Sequence, residues 1–300
     1  MSKWKAWIIA FRLRTLPLAI ASILMGTLLA SAEGYFNFTI VLFGVLTTIS
    51  LQILSNLAND YGDASSGVDG KHREGPSRTV QSGLITKEEM KKMLYVFTFL
   101  SLIFGLLLIW SALGDQWLKG ILFLGLGIGA IAAAIKYTVG ASPYGYTGWG
   151  DFFVLIFFGI VGVIGSYYLL SNSFQWILLL PALATGLFAV GVLNLNNIRD
   201  IESDKKSGKF SIPVRLGRRK AVLYHYFLLL GGVICAVLYV SIENEGWYSW
   251  GFLLTTPLFF INGRAVTLKK SAKELDPYLK QMAISTLIFV ILLGIGHFQF

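Results

Sequence analysis

Uncharged stretches dominate the chain, and they run too long for the core of a soluble domain. They extend from Thr15 to Ala32, Gly34 to Asn59, Met93 to Gly114, Gly120 to Ile135, Phe152 to Ile198, Ala221 to Ile242, Gly246 to Gly263 and Gln281 to Phe300. A helix needs about 20 apolar residues to cross the hydrocarbon of a bilayer. The stretch 152–198 has room for two crossings, with Ser171-Asn172-Ser173 as its turn. Nine spans are therefore predicted. Lipid offers the backbone no hydrogen bonds, so each span must be a helix, and the fold class is an all-α integral membrane protein. A mean hydropathy of +0.67 with only 14% charged residues excludes an ordinary soluble domain.

The cations set an orientation. With the amino terminus inside, every lysine and arginine except Lys119 falls on the inner side, which the positive-inside rule assigns to the cytoplasm of a multi-pass cell-membrane protein. The formal charge of +9 then reflects topology more than a nucleic-acid surface. Lys3 to Arg14 interleaves cations with Trp4, Trp7 and Phe11, as a helix lying on the membrane surface does. Ala30-Ser31-Ala32 also has the form of a signal cleavage site, but cleavage would spoil the charge pattern.

Two polar stretches interrupt the apolar pattern on that inner side. The first, 52–78, reads QILSNLANDYGDASSGVDGKHREGPSR, and it puts Gln52, Asn56, Asp60 and Asp63 on one face at the end of the second span. The second, 194–208, reads NLNNIRDIESDKKSG, with Asn196, Asp200 and Asp204 at i, i+4 and i+8. Asn56 to Asn196 and Asp60 to Asp200 are both offsets of 140 residues. The chain thus reads as one domain of two similar halves, about 15–138 and 152–266, with a ninth helix at 278–300.

Carboxylates at the mouth of an apolar bundle are costly unless a cation sits with them. Mg²⁺ takes oxygen ligands, commonly one or two carboxylates plus phosphate oxygens. Asp60, Asp63, Asp200 and Asp204, with the neutral oxygens of Asn56 and Asn196, supply such a set. Arg73, Arg78, Lys136 and Lys209 are placed to take the remaining charge of a diphosphate. A group attached to that diphosphate would hang into the bundle, which points to a polyprenyl diphosphate. Tyr137 and Tyr146 offer π faces to an allylic cation, in a loop with Pro143 and Asp151 that suits a lip over the cavity.

Other features read as structural. Gly125, Gly127 and Gly129 form a small-residue face expected to let helices approach closely. No strand precedes them, so a dinucleotide site is excluded. Cys235 is a lone core side chain, and His225 and His297 are expected at the membrane interface. His72 is expected to be a solvated loop residue. Thr86 to Glu89 and Ser271 to Glu274 have the capping-box spacing that starts a helix.

The paired stretches resemble the two aspartate-rich motifs of the UbiA superfamily of intramembrane aromatic prenyltransferases. Asn59-Asp60-Tyr61-Gly62-Asp63 with Asp69, Arg73 and Arg78 is similar to the first motif, and Asn196 to Asp204 with Gly208 to the second. The resemblance covers nearly the whole chain and implies nine helices, with cap loops over a central cavity. It also implies Mg²⁺-dependent transfer of a prenyl group from polyprenyl diphosphate to an aromatic acceptor. The wording NLANDYGD, KYT with SPYGYTGWGD, and NNIRDIESDKKSGK most resembles the branch acting on 1,4-dihydroxy-2-naphthoate with loss of CO₂, in menaquinone synthesis. Another acceptor such as 4-hydroxybenzoate is the alternative. Ala132 and Ala64 depart from the family pattern: many relatives place a tyrosine at the first, and the second leaves Asp63 to supply the next carboxylate. Arg12 and Arg14 are candidates to meet the acceptor's carboxylate, with Tyr146 and Asp151 beside it. A cation-coupled transporter, the rival from another class, would place its carboxylates near the bilayer midplane instead.

Overall fold

The computed structural model describes residues 2–66, 79–243 and 246–298. Among them the ordered secondary structure is helical throughout. A short helix α1 (Lys3–Phe11) precedes α2 (Leu16–Ala32), and α3 (Phe38–Ser66), α4 (Lys87–Leu113) and α5 (Trp117–Lys136) follow. Beyond a loop come α6 (Gly150–Ser171), α7 (Trp176–Arg199), α8 (Arg218–Glu243), α9 (Trp247–Leu268) and α10 (Ala272–Ile295). In the described residues nine helical segments are long and apolar enough to cross a membrane, the first being α1 and α2 taken together. The turn at Ser171-Asn172-Ser173 splits the long apolar stretch as expected, with Asn172 in the left-handed conformation at φ 55°.

Local chemistry starts the helices where the sequence indicates. Both capping boxes form: the Thr86 side chain accepts the Glu89 backbone N–H, and Ser271 does the same for Glu274. Their glutamates reach back to the cap backbone, so orphan N–H groups at the helix starts are satisfied. Pro17 occupies the first turn of α2, where its missing N–H costs nothing.

Packing divides unevenly. α7 and α10 bury roughly half of their apolar windows and share one core with α2, α6, α8 and α9. α4 and α5 bury only 11% and 6%, so they form an outer wall with lipid on one face and a cavity on the other. Close approach is confined to particular glycines. A Cβ on Gly26 would fall 2.1 Å from the Val163 carbonyl oxygen, and one on Gly159 2.7 Å from that of Ala182. Both contacts involve a ten-residue π-helical stretch, Leu155–Ile164, within α6.

The small-residue face of α5 behaves differently from expectation. A Cβ on Gly125 or Gly127 would meet nothing within 4 Å, and one on Gly129 would touch only Phe157 at 3.9 Å. These glycines border open space and do not seat a neighbouring helix. Nor is His225 an exposed interfacial side chain. His225 is wholly buried, with Nε2 2.9 Å from Asn262 Oδ1, and Asn262 in turn donates to the Tyr278 carbonyl. His297 is buried beneath Tyr239, ring centroids 4.8 Å apart.

This contrast is testable. Gly26→Ala must displace backbone, at a cost of about 1–3 kcal/mol for an overpacked site, and should lower the melting temperature of the purified protein in detergent. Gly127→Ala enters empty space and gains about 0.5–1 kcal/mol of helix propensity, so its melting temperature should be unchanged or higher.

Candidate active site

The last four turns of α3, roughly, carry a polar stripe that grips the amino-terminal segment. Gln52 Nε2 donates to Thr15 Oγ1 at 3.0 Å, and Asn56 Nδ2 donates to the Phe11 carbonyl at 3.0 Å. One turn on, Asp60 accepts from Arg12 Nη2 at 2.5 Å. Arg12 holds φ at 49°, in the left-handed region that a non-glycine residue occupies only at a cost. That corner lets α1 turn away from α2 and swings the guanidinium onto Asp60. Asn56 has spent its amide nitrogen, so any ligand role falls to its carbonyl oxygen.

The end of α7 is built around Arg199. Its Nε and Nη2 take the two oxygens of Asp200 at 2.8 and 2.7 Å, a bidentate fork. Nη2 also donates to Asn196 Oδ1 at 2.9 Å, and Nη1 to Asp276 Oδ1 at 2.7 Å. Asp276, in the first turns of α10, accepts from Arg14 Nη1 at 2.7 Å through its other oxygen. Arg12 and Arg14 stand two residues apart, so a ladder of ion pairs runs from the end of α3 to the end of α7.

Tyr146 bridges the two ends a second time. Its hydroxyl donates to Asp63 Oδ1 at 2.5 Å, and its carbonyl accepts the Phe210 N–H at 2.8 Å. Next to Phe210, Lys209 Nζ lies 3.3 Å from Asp204 Oδ2. Burial pushes the Asp204 carboxyl above its ordinary range; Lys209 pulls it down, while nearby Asp200 and Asp63 push it further up. The two acidic stretches thus meet at one mouth. All four carboxylates there, Asp60, Asp63, Asp200 and Asp204, are buried.

Beneath this mouth lies a cavity of about 350 Å³, within the range of ligand sites. Asn56, Asn59 and Tyr137 line its polar end, and Ile40 and Leu169 its far end. Thr138 Oγ1 donates to the Ala58 carbonyl at 2.9 Å, and a Cβ on Gly62 would fall 2.5 Å from the Thr138 carbonyl. Glycine in the first motif therefore lets α3 and the Tyr137 segment touch. Gly145 and Gly150 crowd the Tyr137 ring in the same way. Tyr137 packs edge-on against Tyr144 at 5.4 Å, and Tyr144 against Phe153 at 4.2 Å, so an aromatic wall descends from the mouth.

Residues 19–287 match the UbiA prenyltransferase family. The chain belongs to that family. A protein of Escherichia coli (strain K12), "1,4-dihydroxy-2-naphthoate octaprenyltransferase", is 43% identical over 99% of this chain and 96% of its own length. Among solved structures, the apo UbiA homolog from Aeropyrum pernix K1 shares the fold with a TM-score of 0.67 at 17% identity, over 93% of this chain and 96% of that one. The UbiA homolog from Archaeoglobus fulgidus bound to DMAPP and Mg²⁺ gives 0.59 at 19% identity, over 95% and 98%.

In this UbiA family member the structure gathers the second-motif residues, Asp60, Asp63, Tyr146 and Lys209 at one mouth. Lys136 ends α5, exposed, with Tyr137 behind it on the cavity side. Asp151 accepts from Tyr224 of α8 at 3.0 Å and does not line the cavity. Arg14 is held by Asp276. Asp69, His72, Arg73 and Arg78 lie outside the described residues. The pairing roles of Arg199 and Asp276 escaped sequence reasoning. Arg199 stands three residues after Asn196, a spacing that signals a shared helix face, whereas Asp276 sits 76 residues beyond Asp200 with no local signal.

The donor set at the mouth fits a hard cation: oxygen ligands only, several buried negative charges, and cationic side chains already drawn to them. Among the described residues no three acidic, histidine or cysteine side chains converge on one point. A magnesium ion here would thus use one or two protein carboxylates and fill its shell from phosphate and water. Tyr146→Phe removes a hydrogen bond to a charged group, worth about 1.5–3 kcal/mol. Prenyl transfer by this variant, assayed as kcat/KM in membranes, should fall at least tenfold.

Proposed function

We propose that this protein transfers a polyprenyl group from polyprenyl diphosphate to 1,4-dihydroxy-2-naphthoate, with loss of CO₂, to give demethylmenaquinone. The observation that carries the reading is the meeting of two acidic helix ends over one apolar, aromatic-walled cavity. The 43% identical E. coli relative supports the choice of acceptor. The protein is a multi-pass cell-membrane enzyme whose mouth opens to the cytoplasm, consistent with the placement of its lysines and arginines. The 140-residue offset supports two homologous halves with α10 added.

Mg²⁺, bound at the mouth, neutralises the diphosphate and draws charge from its bond to the prenyl carbon. Asp60 and Asp63 from one half, and Asp200 and Asp204 from the other, hold the ions, with Asn56 and Asn196 adding neutral oxygens. Lys209 and Lys136, with Arg73 and Arg78, take the phosphate oxygens. Tyr146 orients Asp63 through its short hydrogen bond. Tyr137 and Tyr144 face the carbon that becomes positive as the diphosphate leaves, and the apolar cavity below keeps water from it.

The test is direct. Membranes given polyprenyl diphosphate, Mg²⁺ and dihydroxynaphthoate should form a prenylated naphthoquinol, and EDTA should stop the reaction. Asp60→Asn and Asp200→Asn should each abolish turnover. Prenylation of 4-hydroxybenzoate alone would reassign the acceptor; full activity in both variants would overturn the metal assignment.

A further inference from the structure

The fork of Arg199 is built to hold a planar carboxylate, and it already holds one. Its Nε and Nη2 grip both oxygens of Asp200 at 2.8 and 2.7 Å, while its third nitrogen, Nη1, is tied to Asp276 at 2.7 Å. Arg199 is itself only 6% exposed. A guanidinium that lost Asp200 would not swing into water, because Asp276 anchors its far side and Arg14 braces Asp276. Asp276 is a receptor for the arginine, positioned by a second cation, on a helix that carries none of the acidic motif.

Asp200 is gripped by Arg199, and a divalent ion at the mouth would compete for the same oxygens. A carboxylate that turns its oxygens to a metal gives up at least part of the bidentate grip, and two N–H donors of Arg199 are left without an acceptor in a buried place. Such donors cost about 1–3 kcal/mol when unmatched, more for charged groups. The acceptor named for the 43% identical relative carries a carboxylate on a flat ring system. Resting on the acceptor reading above, we propose that Arg199 is the specificity residue for the aromatic carboxylate: metal binding at Asp200 frees its fork, and the acceptor's carboxylate replaces that of Asp200. Asp276 is the positioning residue that keeps the fork in place through the exchange. The arrangement couples the two ligands, since the carboxylate site exists only once the metal has drawn Asp200 away. A runner-up role for Arg199, holding diphosphate, predicts donor dependence instead.

The full-length protein in nanodiscs separates these possibilities. Wild type must first prenylate dihydroxynaphthoate; if it does not, the acceptor reading itself fails. Given that activity, Arg199→Gln should raise KM for dihydroxynaphthoate tenfold or more and leave KM for the prenyl diphosphate within about twofold. Without any donor, binding of 1-hydroxy-2-naphthoate in the presence of Mg²⁺ should weaken tenfold, and binding of 1,4-dihydroxynaphthalene, which lacks the carboxylate, should not change. Titration of Mg²⁺ alone should show tighter binding to Arg199→Gln than to wild type, because a competitor for Asp200 is gone. Arg199→Lys keeps the charge but not the fork, so it should share the acceptor defect. Asp276→Asn should raise the acceptor KM by less than Arg199→Gln does. A rise in donor KM, equal weakening of both naphthalene ligands, or weaker Mg²⁺ binding would each overturn the assignment.

Discussion

Ionised carboxylates buried at the edge of an apolar bundle need counter-charge, and in this protein that need organises the mouth. Asp60 is matched by Arg12, Asp200 by Arg199, Asp276 by both Arg14 and Arg199, and Asp204 by Lys209. These pairs join four elements that are distant in sequence: the amino-terminal segment, α3, α7 and α10. Breaking one partner of a buried pair costs about 3–5 kcal/mol, since the other charge stays behind. The ladder therefore ties the amino-terminal segment to the ends of α3, α7 and α10 at the mouth. It also explains why Arg12 accepts a left-handed backbone: the corner is what brings its side chain to Asp60.

Glycine supplies the second constraint. At Gly62, Gly145 and Gly150 a side chain would collide with the Thr138 carbonyl or with the backbone and ring of Tyr137, so these positions set how near the aromatic wall stands to the carboxylates. At Gly127 the missing side chain leaves room on the cavity wall instead. One residue type thus plays opposite parts in a single bundle, packing tightly around the aromatic wall and leaving open space along the cavity. The thin, lipid-facing wall of α4 and α5 fits the same division, because an element that borders a void on one side cannot draw stability from close contact there.

The number of spans was legible because hydrocarbon thickness imposes a length that uncharged runs report directly. The turn at Asn172 could be placed because three small polar residues interrupt a run twice the length of a bilayer. Both acidic stripes could be found because helical spacing puts Asp60 with Asn56, and Asp200 with Asn196, on one face. Partners across the fold could not be read in this way. Asp276 reaches Arg199 only because α10 packs beside α7, and no periodicity encodes that contact. The small-residue face of α5 and the burial of His225 failed for a related reason. Composition shows that a face is small or a ring polar, whereas the neighbour that fills the space, or leaves it empty, is set by tertiary arrangement.

The same arrangement accounts for an apparent excess of positive charge at the mouth. A site meant only to hold a trianionic diphosphate with metal would gain from free cations, yet here Arg12, Arg14, Arg199 and Lys209 are each paired with a carboxylate. Pairing lowers the attraction for any passing anion, whereas a ligand that arrived with its own divalent ion would compete for the carboxylates. A divalent ion that took over Asp60 and Asp204 would release Arg12 and Lys209 toward the ligand that carried it, while Arg199 would stay tied to Asp276. Exchange of partners among these paired charges would keep the count of unmatched groups low throughout, which a site assembled from bare lysines in water would not achieve.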